Sequence, residues 1–272
     1  MGKQDGFLRK LRAQPEQISV PVFGISVILI WEFLVTVTGT PEYLMPGPVS
    51  IAKTLWRLIS KGAVASHIGI TASEVLIGYG LAIIAGITLG TLISQVPMMK
   101  KLLEPYLIAF GAVPKIALAP LFIIWFGFGI TSKIVVAALV AFFPLLINTI
   151  NGLNATDMLK IELFKSLGAT RWQTFRMLKV PNAMPYIFAG LDIGAVFSVS
   201  GAIVGEFVGS QGGLGHLALY MQYEFDIPGY FAVLFIIVPF GLFLHLLVVA
   251  AQKRVVFWVH DERQKVKDGV SS

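Results

Sequence analysis

Ionisable side chains inside long apolar stretches are the residues of this sequence that are best placed to do chemistry. Lys115, Asp192 and Glu206 each lie within, or close to the end of, a run that is apolar enough to cross a bilayer. Charges at membrane depth are costly and by default mark the path of a solute or an ion. We expect Lys115 to border such a path, where it would favour an anion, or to form an ion pair with Asp192. For Glu206 a solvated position at its helix end is the simpler interpretation, and a gate or a partner contact is the alternative.

The apolar run around Lys115 is interrupted by Pro114 and Pro120. Each proline removes a backbone donor and tends to kink a helix, and irregular backbone at membrane depth is tolerated where it lines a cavity or is buried in protein. Pro114 is therefore a further candidate pathway residue. Ser198, which belongs to a stripe of small residues in the same run as Asp192, is the last of these candidates.

Catalysis and metal binding have no comparable support in the sequence. The chain has no cysteine and its four histidines are far apart, so neither a thiolate site nor a close histidine pair is predicted. No set of His, Asp and Ser at helical spacing indicates an active site, and no glycine-rich loop ends in Gly-Lys-Ser or Gly-Lys-Thr. We expect no metal, no cofactor, no ATP binding and no enzymatic activity in this chain.

The elements that must position these residues are membrane spans. Hydrophobic residues make up 56% of the chain and charged residues 13%, whereas soluble domains carry about 25% charged residues. Six segments reach the roughly 20 apolar residues that a bilayer requires: 20–38, 75–94, 102–126, 134–152, 185–208 and 229–251. The fold class is therefore an all-α membrane protein with six transmembrane helices. A further stretch, 49–66, is predicted to be an amphipathic helix at the membrane interface.

Small residues recur at intervals of four in the second and fifth spans, for example at Gly86 and Gly90 and at Gly190 and Gly194. Such stripes let helices approach closely in lipid. Packing within the bundle is the simpler interpretation, and an interface between subunits is the alternative.

The distribution of lysine and arginine predicts the orientation. Sixteen of these residues lie in segments 1–19, 100–101, 153–184 and 252–272, and four lie in the segments that alternate with them. Because basic loops stay on the cytoplasmic side, both termini and the 153–184 loop are predicted to be cytoplasmic, in the cell (inner) membrane. The net charge of +6 is then a property of these loops and does not indicate nucleic-acid binding. The chain divides into a cytoplasmic N-terminal arm (1–19), a six-helix transmembrane domain (20–251) and a cytoplasmic basic tail (252–272).

The 153–184 loop carries charges throughout and cannot lie in lipid. Apolar residues recur in it at helical spacing from residue 158, and Gly168 is predicted to end a first short helix in the left-handed conformation. Thr170 is then placed to cap a second helix, which Pro181 is predicted to end near the membrane. The product is a helix–turn–helix with an exposed apolar face, a feature typical of docking sites.

The spacing within this loop resembles the signature of permeases of ATP-binding-cassette (ABC) importers, which is written E-A-A, three residues, G, nine residues, I-x-L-P. Here Glu162-Leu163-Phe164 is followed after three residues by Gly168, and after nine more by Leu178-Lys179-Val180-Pro181. Leucine and phenylalanine replace the two alanines, and leucine and valine replace the final isoleucine and leucine. These replacements keep the apolar character of the signature.

Further segments resemble the nitrate/sulfonate/taurine branch of these permeases, and together they extend from about residue 31 to the C-terminus. They are Trp31-Glu32, the run Leu44 to Pro48, the run 113–129, the run Ser166 to Phe175, and the run Gly205 to Gly215.

The resemblance implies a type I ABC importer permease fold with a cytoplasmic coupling helix. It also implies a second copy of the permease, two ATP-binding cytoplasmic subunits, an extracytoplasmic solute-binding protein and membrane lipid as partners, and no nucleic acid. The implied coupling residues are Ile161, Glu162, Leu163, Phe164, Leu167, Gly168, Ala169 and Pro181. The translocated solute would be small and polar. The branch allows nitrate, alkanesulfonates, taurine, aromatic carboxylates, and pyrimidine or flavin precursors, and Lys115 favours an anion among them.

Three other classes of membrane protein remain as alternatives. A secondary transporter driven by an ion gradient would explain six spans with Lys115 and Asp192, but it would not explain a docking loop with this spacing. A membrane-embedded enzyme lacks a convergent catalytic set, and a channel has no specific feature in its favour.

Overall fold

The computed structural model describes residues 16–258, which are mostly helical and contain no β-strand. The arm up to residue 15 and the tail from residue 259 lie outside the described residues, and what the sequence predicts for them stays a prediction. The α-helices are α1 (Glu16–Thr38), α2 (Pro48–Ser60), α3 (Ala65–Gln95), α4 (Pro97–Ala112), α5 (Ala119–Phe126), α6 (Ile130–Asn154), α7 (Met158–Ser166), α8 (Arg171–Thr174), α9 (Val180–Gly209), α10 (Leu214–Tyr223) and α11 (Ile227–Val255).

Five of these helices are long and apolar enough to cross a bilayer: α1, α3, α6, α9 and α11. The sixth predicted span is the pair α4 and α5, whose axes differ by 83° across a short break. A 3-10 turn, Lys115–Leu118, lies between them and is preceded by Pro114. Five of the six predicted spans are thus confirmed as single helices. The third corresponds to the bent pair, and its break falls where the proline removes a backbone donor.

The described residues form two compact units, of which the larger comprises residues 64–217 and 235–258. Within it α6 lies between α3 and α9 and makes its most extensive contacts with these two helices. Glycines line both contacts: a Cβ at Gly86 would lie 2.7 Å from the Cβ of Leu145, and a Cβ at Gly190 would lie 2.9 Å from that of Asn148. Because no side chain intervenes, the helices approach closely. The glycine stripes are therefore explained by packing within the bundle.

The smaller unit comprises residues 16–63 and 218–234. Its first helix, α1, has exposed apolar side chains all along its length, as expected of a helix that lies in lipid. Glu32 in α1 accepts a hydrogen bond from the backbone N of Val49 at 3.1 Å and so satisfies a free donor at the start of α2. A Cβ at Gly47 would lie 2.7 Å from this carboxylate. The Leu44 to Pro48 motif therefore reflects a close approach of the loop to Glu32.

Candidate functional site

The first helix of the 153–184 loop, α7, is closed at both ends by specific hydrogen bonds. Asp157 accepts one from the backbone N two residues further on, at 2.9 Å. At the other end the backbone N atoms of Gly168 and Ala169 donate to the carbonyls of Lys165 and Phe164, both at 3.0 Å. This pair of bonds ends a helix on a left-handed residue, and Gly168 has a φ of 75°. The predicted helix end at Gly168 is confirmed.

The second helix of the loop begins with a reciprocal cap. The backbone N of Gln173 donates to Thr170 Oγ1 at 3.2 Å, and Gln173 Oε1 accepts from the backbone N of Thr170 at 2.8 Å. The cap predicted at Thr170 is therefore confirmed, but the end predicted at Pro181 is wrong. The helical backbone continues without a gap to Gly209. Pro181 is accommodated in the first turn of α9, after a π-helical turn, Phe175–Lys179, that already departs from the regular hydrogen-bond ladder.

The loop exposes several large apolar side chains among its charged ones. Its large apolar side chains with between 57% and 75% of their surface exposed are Met158, Leu159, Leu163, Leu167, Trp172 and Met177. Leu159, Leu163 and Leu167 follow at intervals of four and form one stripe on α7. Ile161 and Phe164 are only partly exposed, so the stripe, rather than these two residues, is the face that another protein can cover.

Lys115 lies at the break between α4 and α5. Its Nζ donates to the carbonyls of Gly111 at 3.1 Å and Val113 at 3.4 Å, and it lies 4.5 Å from the centre of the Phe143 ring. The last carbonyls of a helix lack partners within it, and a lysine commonly satisfies them. Lys115 therefore stabilises the broken end of α4. Pro114, beside it, is exposed.

Asp192 is hydrogen-bonded to His245 and not to Lys115, so the predicted pairing with Lys115 is wrong. Asp192 Oδ1 lies 2.5 Å from His245 Nδ1. Gly190 and Gly194 face α6, and a residue two positions along a helix points roughly 200° away. Asp192 therefore points away from α6, the helix that carries Phe143 beside Lys115. His245 is not one of the pathway residues predicted from the sequence. Its position as a polar residue within an apolar run was nevertheless a signal that it could pair with another polar residue in the membrane.

Glu206 is buried, with 1% of its surface exposed, so the predicted solvated position at a helix end is wrong. Its Oε1 accepts from Thr71 Oγ1 at 2.6 Å, and its Oε2 accepts from the backbone N of Gly215. Thr71 Oγ1 in turn accepts from the backbone N of Leu214 at 2.8 Å. The carboxylate therefore fixes the loop that follows α9 against α3. A contact 135 positions away in the chain leaves no local sequence signal.

Lys133 and Glu74, which the spans predicted from sequence place at or beyond helix ends, are buried in the same region with 1% of their surface exposed. The Lys133 Nζ donates to the carbonyls of Phe128, Gly129 and Gly209. Both helices begin earlier than predicted, α6 at Ile130 and α3 at Ala65, which places the two charges inside them.

Ser198 is also buried. Its hydroxyl donates to the carbonyl of Ala195 at 2.7 Å, within α9. The polar groups inside the spans are thus held largely by partners in the chain itself, whereas the apolar surface of the 153–184 loop is left open. Docking of another protein is the activity that this second arrangement suits best.

Comparison with known proteins identifies a family and a fold. Residues 78–257 match the family model described as "Binding-protein-dependent transport system inner membrane component". The structure is similar to a chain of the MetNI methionine ABC transporter in an inward-facing conformation, with a TM-score of 0.62 and 19% identity, covering 71% of this chain and 95% of that one. This likeness confirms the predicted permease fold.

Three curated relatives cover most of the chain. The formylaminopyrimidine transport permease protein ThiX of Halalkalibacterium halodurans is 38% identical, over 81% of this chain and 88% of its own length. The riboflavin transport system permease protein RibX of Chloroflexus aurantiacus is 36% identical, over 89% and 90%. A putative aliphatic sulfonates transport permease protein, SsuC of Bacillus subtilis, is 29% identical, over 85% and 84%. The resemblance to the sulfonate branch is thereby confirmed.

Proposed function

The chain belongs to the family of binding-protein-dependent transport system inner membrane components, and from that premise we propose which of its residues take part in transport. It is a multi-pass permease subunit of an ABC importer that moves a small solute across the inner membrane. The comparisons give no support to the alternative of a secondary transporter. What remains to be assigned is the site that couples the chain to ATP hydrolysis, the path of the solute, the partners and the substrate.

We propose that α7 and the turn after it are the coupling site for a separate ATP-binding subunit. The supporting observation is the exposed stripe of Leu159, Leu163 and Leu167 on a helix that ends at left-handed Gly168. A helix with an exposed apolar stripe suits a groove on a partner. The exposed carboxylate of Glu162 can contact the polar rim of that groove. The remaining proposed coupling residues support this helix from within the loop: Ile161, Phe164, Ala169 and Pro181.

The assembly we propose contains two copies of this permease, two ATP-binding subunits on the cytoplasmic side and one extracytoplasmic solute-binding protein. ATP hydrolysis takes place on the separate subunits. The 153–184 loop must face the ATP-binding subunits, which agrees with the lysine and arginine distribution of the chain. Both termini are then cytoplasmic.

For the solute path we propose the surface beside the α4–α5 break, with Pro114 and Lys115, and the surface that carries Asp192. Asp192 lies 12 residues, or roughly 18 Å, from the start of α9 at Val180. That position is well inside a hydrocarbon layer about 30 Å thick. The pair with His245 still exposes 35% and 39% of its two side chains, and exposed charge at this depth favours a path or a covered interface over lipid. Ser198 and Glu206 are buried in the chain, so we propose structural roles for them.

The substrate we propose is a small nitrogen heterocycle. Two relatives above 35% identity are named for a formylaminopyrimidine and for riboflavin, whereas the sulfonate permease is 29% identical. The preference for an anion rested on Lys115, whose ammonium is engaged by two carbonyls and an aromatic ring. A polar solute with N–H donors would find its complement in the Asp192 carboxylate.

Co-purification with the ATP-binding subunit tests the coupling site. Leu163→Ala combined with Leu167→Ala removes two exposed apolar side chains without leaving a cavity, so we expect the permease to fold and to lose at least about tenfold in affinity for the ATP-binding subunit, as expected when two contact residues cost 1 kcal/mol or more each. Leu246→Ala combined with Leu247→Ala removes the same two side-chain types from the exposed surface of α11 and is the matched control.

The proposal predicts loss of the ATP-binding subunit for the loop variant and retention for the α11 variant. Retention of the ATP-binding subunit by both variants at wild-type affinity would show that the stripe on α7 is not the docking surface.

A further inference from the structure

We propose that α2 is a membrane-interface helix that binds the phosphate headgroups of anionic lipids. This site goes beyond the transport function and concerns the smaller unit alone. It is formed by Lys53, Arg57 and Lys61 together with the exposed apolar side chains beside them, Val49, Trp56 and Ile59.

The two attachments of α2 place it at the level where the chain enters the membrane. At its start the backbone N of Val49 is bonded to Glu32, which lies six residues, or roughly 9 Å, before the end of α1 at Thr38. Further along, Arg57 forms an ion pair of 3.6 Å with Asp226. Asp226 caps the start of α11, since its Oδ1 accepts from the backbone N of Gly229 at 2.8 Å. One anchor adjoins the start of a span and the other lies roughly 9 Å from the end of a span, and from these two positions we infer that α2 lies along the interface.

The surface of α2 is divided into three faces. Ile51, Thr54 and Leu58 form the first and are buried. The second is apolar and exposed: Trp56 exposes 74% of its surface, and Ile59 and Val49 about half of theirs. The third is basic, because Lys53, Arg57 and Lys61 follow at intervals of four and are all exposed.

This order of faces is the one that a bilayer surface requires. A helix in the interface holds tryptophan and aliphatic side chains among the upper parts of the acyl chains and directs lysine and arginine to the headgroups. Tryptophan is concentrated at this level in membrane proteins. The basic stripe adjoins the apolar one, so a lipid that covers Trp56 carries its phosphate toward Lys53 or Lys61.

Quenching of tryptophan fluorescence by brominated lipids tests the proposal with the full-length chain in nanodiscs. The difference between the wild type and Trp56→Phe isolates the signal of Trp56. We expect this signal to be quenched more strongly when the bromine is carried by phosphatidylglycerol than by phosphatidylcholine at equal mole fraction. Each nearby basic residue should enrich the anionic lipid by about fivefold, as expected for about 1 kcal/mol per charge.

Lys53→Gln combined with Lys61→Gln should abolish the excess quenching, whereas Lys100→Gln combined with Lys101→Gln, with the same loss of charge elsewhere, should leave it unchanged. Soluble glycerol phosphate should not compete. Equal quenching by both lipids, or an unquenched Trp56, would overturn the proposal. So would competition by glycerol phosphate, which would indicate a site for a free phosphate ester. The Lys53/Lys61 variant could also keep the excess quenching by phosphatidylglycerol and lose affinity for the solute-binding protein. That result would overturn the proposal and identify α2 as a protein docking surface.

Discussion

Two buried charged residues of this permease, Lys133 and Glu206, are anchors between helix ends. The ammonium of Lys133 holds the carbonyls of the turn before α6 and the last carbonyl of α9. The carboxylate of Glu206 holds α3 and the loop after α9 through Thr71 and Gly215. A buried charge is stable only when such partners satisfy it. These residues therefore fix the end of the larger unit that lies opposite the 153–184 loop.

The hydrogen bond between Asp192 and His245 predicts a strong coupling between two substitutions. Either Asp192→Ala or His245→Ala leaves one partner unsatisfied within the membrane, so each is expected to lower the free energy of unfolding by about 1–3 kcal/mol. The double variant should be no less stable than the worse single variant, because both partners are then absent. Unfolding in a detergent titration measures all three.

The same cycle with Lys115 is the control. Lys115→Ala and Asp192→Ala share no partner in this structure, so their effects should add to within about 0.5 kcal/mol. Additive effects for Asp192 with His245, and coupled effects for Asp192 with Lys115, would contradict the observed pairing and restore the one expected from the sequence.

At the level of helices, the close approach of α3 to α6 predicts opposite effects for two neighbouring glycines. A Cβ at Gly78 would lie 2.8 Å from the Cβ of Ala137 and 2.9 Å from the carbonyl oxygen of Ile134, whereas a Cβ at Gly80 would meet nothing within 4 Å. Gly78→Ala should destabilise the bundle by about 1–3 kcal/mol through overpacking. Gly80→Ala should be neutral or stabilising by up to about 1 kcal/mol, because alanine has the higher helix propensity.

Thermal unfolding of the two variants in the same detergent distinguishes them, and each serves as the control for the other. Equal shifts of the unfolding temperature would mean that α3 and α6 do not pack through this glycine.

The presence of the long helices was predictable, because a long apolar run in a bilayer can satisfy its backbone hydrogen bonds in few other ways. The helix ends were less predictable. The predicted second span began at residue 75 because the polar residues before it look like a loop, and the ten residues of α3 that precede it place Glu74 inside the helix. The contacts of Glu206 with Thr71 and of Asp192 with His245 depend on which way each helix faces, and this follows from tertiary packing across more than 50 positions of sequence. No local pattern encodes such contacts.

At the level of the whole molecule, the 153–184 loop was the part best predicted from sequence. The turn at Gly168 and the cap at Thr170 depend on local backbone chemistry, which is why both could be located from residue type alone. Pro181 shows the limit of this reasoning: proline usually ends a helix, but the π-helical turn before it allows α9 to continue into the membrane. The second helix of the loop is therefore continuous with the membrane span, from Arg171 to Gly209.

Because of that continuity, Gly168 sets the direction of α7 relative to α9. We propose that ATP hydrolysis drives transport through these two helices. Gly168 and Gly39 both have a positive φ, of 75° and 62°, and a Cβ at either would meet nothing within 4 Å. Valine at either position therefore carries the same kind of backbone strain, roughly 1–2 kcal/mol. Only Gly168 adjoins the coupling helix, so Gly39→Val is the matched control.

The most direct measurement is solute uptake per ATP hydrolysed in proteoliposomes that contain the permease, its ATP-binding subunits and the solute-binding protein. Gly168→Val should reduce coupled uptake by about tenfold, the change that a strain of roughly 1.4 kcal/mol produces, with the protein still folded and inserted. Gly39→Val should transport at the wild-type rate. Equal uptake and equal ATP consumption by wild type, Gly168→Val and Gly39→Val would contradict the account, because the loop would then play no part in coupling.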